Sequence, residues 1–173
     1  MSNEELDTAL TPVLVPIIIS PDEGTVLNAF GDTIQVKLTG EHTGGAFALG
    51  LSSTPPGGGP PPHRHLNEDE LFMVLEGRIS FLTNGEWTEI GPGGVAYVPR
   101  GSVHTFKNVG DTRSKQWVMA TPSGFENFFG KCATVFAEAI AGPPDMGRIL
   151  TICGEHGIEF VPPLGPPAPA PVE

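Results

Sequence analysis

Cationic residues are scarce. The 173-residue chain has nine Lys and Arg against twenty Asp and Glu, a net charge of −11. Such a surface repels phosphate backbones and anionic headgroups, so neither nucleic acid nor a membrane surface is an expected partner. Cysteine is almost missing: Cys132 and Cys153 are too few for a disulfide scaffold, and both fall in apolar helical patterns that make them core residues. No apolar run approaches the roughly 20 residues of a membrane span. The opening "MSNEELD" is acidic, where a secretory signal is basic. No Asn-x-Ser/Thr sequon occurs. These absences lead to the expectation of a reduced, cytoplasmic protein.

Turn chemistry, in contrast, is plentiful. The 23 glycines and 19 prolines argue against a helical bundle and for short strands joined by turns. "VLVPIII" reads as an edge strand, with Pro16 tolerated only at an edge. From residue 31 to 122, roughly eight short segments have strand character. They include "DTIQVKLTG", with Ile34, Val36 and Leu38 on one face, and "RISFLTNGEWTEI", a hairpin turned by Asn84-Gly85. Regular spacing of that kind implies a closed barrel or jelly roll. After it, Ser123 with Glu126 reads as a capping box. Phe125, Phe128, Phe129, Cys132, Val135, Phe136, Ala139 and Ile140 then recur at helical spacing. A second helix is expected from about Asp145, with Met146, Ile149, Leu150 and Cys153 on one face and Gly154 or Gly157 as its cap. The expected organisation is an N-terminal strand or arm (1–30), a barrel (31–122), a helical extension of the same domain (123–160) and a Pro-rich, disordered tail (161–173).

Chemistry concentrates in "PPHRHLNEDELFMVLEG", Pro61 to Gly77. Residues two apart on a strand share a face, so His63 and His65 point one way and Arg64 the other. Glu70 opens the next strand and can turn back toward the pair, with Phe72 and Val74 continuing its face. His104, opening a later strand after "PRGSV", offers a fourth donor, and Phe106 shares its face. Two or three imidazoles and a carboxylate suit Fe, Mn, Ni, Co, Cu or Zn, one divalent transition metal of unspecified identity. Each part has an ordinary structural explanation when taken alone. An H-x-H is commonly a polar strand face, His104 could be a hydrogen-bonded histidine, and Glu68-Asp69-Glu70 could be a solvated turn.

The spacing of the whole set decides between these. Gly57-x5-His63-x-His65-x4-Glu70-x6-Gly77 and Gly93-x5-Pro99-x-Gly101-x2-His104-x3-Asn108 both match signatures of the cupin family, so residues 31–122 resemble a single cupin barrel. The resemblance implies an all-β, double-stranded β-helix (jelly-roll) fold, here with two short C-terminal helices. It implies His63, His65, Glu70 and His104 as metal ligands, and a homodimer. Asn108 is expected to hold a loop, Glu68 and Asp69 to be turn residues, and Arg64 to face away from the metal.

The barrel with its helical tail is similar to small quercetin-dioxygenase-like cupins. That resemblance implies O2-dependent cleavage of an aromatic or enolisable substrate, with Glu70 as both ligand and catalytic base. Phe72, Val74 and Phe106 are the expected substrate-binding residues. Phe125, Phe128 and Phe129 could close a barrel mouth, although helix core is the reading favoured for them. Inward Lys or Arg for a sugar phosphate is scarce. The alternatives are a non-redox lyase, isomerase or decarboxylase on the same ligands, and a non-catalytic small-molecule binder.

Overall fold

Two antiparallel sheets face each other in the computed structural model, which describes residues 14–140 and 142–162. The larger sheet has the order β1-β2-β3-β10-β5-β8: β1 (Thr25–Ala29), β2 (Asp32–Leu38), β3 (Ala48–Thr54), β10 (Ser114–Thr121), β5 (Asp69–Glu76) and β8 (Val95–Val98). The smaller has the order β11-β4-β9-β6-β7: β11 (Ile158–Phe160), β4 (His63–His65), β9 (His104–Asn108), β6 (Ile79–Thr83) and β7 (Glu86–Ile90). Helix α1 (Gly40–Thr43) is one turn, and α2 (Phe125–Glu138) and α3 (Met146–Glu155) follow β10. None of the described helices is long and apolar enough to cross a membrane.

Alternation places the core. Along β5, Glu70, Phe72 and Val74 are buried while Met73 and Leu75 are exposed. Phe72, Val74, Ile79, Phe81, Val98, Phe106 and Val118 join across the two sheets as one apolar cluster. A second cluster lies under the helices, where Phe128, Phe129, Cys132, Val135, Ile149 and Cys153 meet Ala29, Ile34 and Ile158. Burial pushes the Cys132 thiol up to about 12, with Cys153 adding to it, so Cys132 behaves as an inert apolar residue. Asn84 and Gly85 take positive φ between β6 and β7, as their turn requires. A second hairpin of this kind, Phe30-Gly31, joins β1 to β2. Phe30 holds a positive φ that bulky residues avoid, against ring contacts with Phe128, Phe129 and Phe136 at 6.5, 6.3 and 5.0 Å.

Several expectations need correction. Residues 14–19 of the "VLVPIII" stretch form no strand, and the first strand among the described residues is Thr25–Ala29, which joins the barrel ahead of residue 31. Ser123 does not cap α2. Its N-cap is Gly124, and Glu126 accepts from the backbone N–H groups of Gly124 (2.7 Å) and Gly40 (2.8 Å), tying the helix start to α1. Ile140 lies beyond the helix and is 95% exposed. Helix α3 begins where expected, with Asp145 as its N-cap, but Met146 and Leu150 face outward, and Ile152 packs with Ile149 and Cys153 instead. His156 is the C-cap of this helix, and burial lowers its pKa, with Lys131 adding to the effect. Residues 158–160 belong to the smaller sheet and not to a helical extension or tail, with Ile158, Glu159 and Phe160 paired to His65, Arg64 and His63. The expected disorder of 161–173 falls mainly outside the described residues.

Candidate metal centre

Both sheets contribute to one cluster. β4 turns His63 and His65 inward, β9 opens with His104 directly opposite His63, and Glu70 comes across from β5. One donor atom from each of the four lies within 4.8 Å of the others, and all four side chains are buried. Arg64 points outward and its Nε donates to Glu159 at 2.7 Å.

The rings are aimed by what their outer nitrogens meet. His63 Nδ1 lies 2.9 Å from the Pro61 carbonyl and His104 Nδ1 3.1 Å from that of Ser102. A carbonyl only accepts, so each Nδ1 carries the hydrogen and each Nε2 keeps a lone pair for the cluster. His65 Nδ1 faces a carboxylate instead, Glu68 Oε2 at 3.5 Å. Carbonyl and carboxylate partners of this kind set the tautomer of metal-binding histidines. Glu68 is therefore not a solvated turn residue: it is 5% exposed and sits against His65. Asp69 does serve the turn, accepting from the Arg100 backbone N–H at 2.8 Å. Asn108 holds loops as expected, its Nδ2 donating to the carbonyls of Thr54 and Thr112.

Glu70 Oε2 lies 2.9 Å from His104 Nε2 and 3.3 Å from His65 Nε2. Even so, Glu70 Oε2 and His104 Nε2 have no hydrogen-bond partner. Orphaned polar atoms at this depth are costly, and lone pairs facing a carboxylate call for a cation between them. Burial alone would raise the Glu70 carboxyl, but His65, then His104 and His63, outweigh it and hold it down to about 2. Burial, with His104 adding to it, pushes His63 down to about 4. Burial also opposes charge on His65, but Glu70 and Glu68 prevail and raise it. At neutral pH Glu70 and His63 are thus already in their metal-binding forms. Three neutral imidazoles and one carboxylate would leave a divalent ion with a net charge of about +1.

A cavity of about 70 Å3 opens beside the cluster. That is room for several waters or a thin, flat ligand, since one water needs roughly 10–15 Å3 on this measure. Its apolar lining includes Phe72, Phe106, Phe125, Phe128, Phe129 and Phe160. Val74, expected to bind substrate, does not line it but is fully buried in the apolar layer beneath. Phe125, Phe128 and Phe129 belong to the helix core and also wall the cavity; the Phe125 ring is 5.3 Å from that of His65. Sequence reasoning missed Phe160, whose ring lies 6.3 Å from that of His63. Its only signal was the apolar residue two places after Ile158.

Residues 50–121 match the family described as Cupin domain. With that match, the double-stranded β-helix and this cluster, residues 50–121 form a cupin domain and the chain has the cupin fold. It is 28% identical over 122 residues to a quercetin 2,3-dioxygenase of Bacillus subtilis (strain 168), an alignment covering 70% of this chain but only 36% of that enzyme. Two solved structures share the fold. A predicted oxalate decarboxylase from Thermotoga maritima has a TM-score of 0.56 and 24% identity, with 61% of this chain and 99% of that one covered. The polyketide cyclase RemF from Streptomyces resistomycificus has a TM-score of 0.54 and 24% identity, with coverage of 63% and 81%.

Proposed function

We propose that this cupin is a metal-dependent oxygenase acting on an aromatic or enolisable small molecule, with O2 as co-substrate. The observation that carries the reading is the cluster of His63, His65, Glu70 and His104, the first three of which line a cavity whose walls include seven phenylalanine rings. Those four residues would hold the ion, which supplies Lewis acidity and, if redox-active, electron transfer. Phe72 and Phe106 would pack on the faces of a flat substrate and, with Phe125 and Phe160, exclude water. Glu70 would accept the substrate proton. While it helps hold the ion its carboxylate would be a weak base, and swinging away would raise its basicity, so taking the proton and leaving the cluster would be one movement.

The likeness to the B. subtilis dioxygenase supports this reading. The cyclase and decarboxylase named among the structural neighbours fit the alternative equally: a lyase, isomerase or decarboxylase using the same donors with Zn or Mn. A non-catalytic binder is the third reading. Elemental analysis of protein purified without added metal, with O2 uptake over flavonols and β-diketones, separates them. The proposal expects a redox-active metal and O2 consumption with at least one substrate. Full Zn occupancy, unchanged by growth in Fe, Ni or Co and accompanied by no uptake, would sink it.

A homodimer is proposed on the outer face of the larger sheet. There Met73, Val95 and Tyr97 lie exposed side by side at the β8 edge, with Leu71 paired to Tyr97. Wild type is expected to sediment as a dimer and Tyr97→Glu as a monomer. A monomeric wild type rejects the assignment.

A further inference from the structure

The cavity has a second polar end. Asp32 on β2 and Ser52 on β3 both line it. Ser52 pairs with Gln116, whereas Glu70 pairs with Ala120, four residues further along β10 (116 to 120). At the rise of a strand that is roughly 13 Å, with the apolar pair Phe72 and Val118 in the wall between.

Behind Asp32 and Ser52 the barrel interior is polar. Thr54, Ser114 and Gln116 face inward, each 1% exposed. Five buried atoms there have no hydrogen-bond partner: Asp32 Oδ1, Thr54 Oγ1, Ser114 Oγ and both amide atoms of Gln116. A single orphan is tolerable in a barrel interior, but a layer of them is an unfilled hydrogen-bonding surface. Burial raises the Asp32 carboxyl to about 6 despite Thr54 and Arg113. Arg113 does not neutralise it by direct pairing, because its guanidinium donates to the Ser53 hydroxyl at 3.0 Å and the Ser53 carbonyl at 2.7 Å. None of these groups belongs to the metal cluster.

We propose that Asp32 and Ser52 form a recognition site for a hydroxyl or amine donor on the end of the substrate remote from the His63, His65, Glu70 and His104 cluster. The orientation rests on the function proposed above. The ligand class is an aromatic molecule with a metal-seeking oxygen at one end and a phenol-type hydroxyl at the other. Asp32 accepts the hydroxyl hydrogen, and Ser52 can donate to its oxygen. An analogue without that hydroxyl leaves the acceptor buried and unmatched, which is how hydrogen-bonding sites reject such analogues.

The test compares 3-hydroxyflavone with 3,4′-dihydroxyflavone, their binding to the full chain followed by calorimetry, with metal content measured on the same preparations. Wild type is expected to prefer the dihydroxy probe by about tenfold, Asp32→Ala to lose that preference, and Ser52→Ala to lose part of it. Equal affinity for the two probes, binding of neither, or a preference that survives both substitutions overturns the proposal. A wild type without metal sinks the oxygenase reading alone, because the preference is a ratio between two probes in one protein and is read with or without the ion.

Discussion

Purified without added metal, the wild-type chain is expected to carry close to one divalent transition ion, and His65→Ala almost none. His65 supplies a donor on one side of its ring and meets Glu68 on the other. Its loss removes a ligand and leaves the Glu68 carboxylate buried without its neighbour. Loss of an outer partner alone typically costs 10–100-fold in metal affinity, so Glu68→Gln should fall in about that range and His65→Ala beyond it. The same contrast should appear in unfolding. Free metal at about 100 times its Kd stabilises the folded state by about 2.7 kcal/mol, so a chelator should lower the melting temperature of wild type and leave His65→Ala unmoved. Full metal occupancy in His65→Ala would overturn the ligand assignment, and a Glu68→Gln chain with wild-type affinity would reduce Glu68 to a packing residue.

Gly59→Ala is expected to be the most destabilising glycine substitution in the loop before β4. Gly59 has φ +145, and a Cβ added there would lie 1.9 Å from the Phe106 carbonyl oxygen and 2.9 Å from its carbon. The obstacle is backbone of β9, not a side chain that can turn. The loop is also pinned at that point, since the Gly57 N–H donates to the Asn108 carbonyl and the Asn108 N–H to that of Gly58. Backbone strain and forced displacement together should cost about 3–5 kcal/mol and shift His63 with the loop. Gly57→Ala is the control: φ is +73 and nothing lies within 4 Å of the added carbon, so the cost should be about 1 kcal/mol. Urea unfolding of the two variants and their metal content give the comparison. Equal midpoints would reject the steric account.

Those two glycines also mark the limit of what was legible. Gly57 stands at a motif position, yet it is Gly59 that lacks room for a side chain, and only the path of β9 makes that so. His63, His65, Glu70 and His104 were legible because strand periodicity and fixed spacing constrain them directly. Glu68 was not, since it stands in a run of three acidic residues and only the fold over His65 distinguishes it. β11 is three residues before a Pro-Pro pair, too short to show a period, and it exists as a strand through β4. Along β10 the buried residues are Ser114, Gln116, Val118 and Ala120, while Trp117 and Met119 lie on the other face. Hydrophobicity alone would have faced that strand the other way, which is why the polar layer around Asp32 had no signature.

The dependence of β4 on β11 also has a temporal side. The strand that carries His63 and His65 is three residues long, paired at one position with β9 and at all three with β11. Arg64 and its partner Glu159 are 95 residues apart in the chain. At synthesis rates of roughly 5–20 residues per second, the two histidines emerge about 5–20 s before the strand that will hold them. The candidate metal centre is therefore completed only after β11 has been made, and an ion supplied earlier would meet a ribbon whose outer edge is still bare.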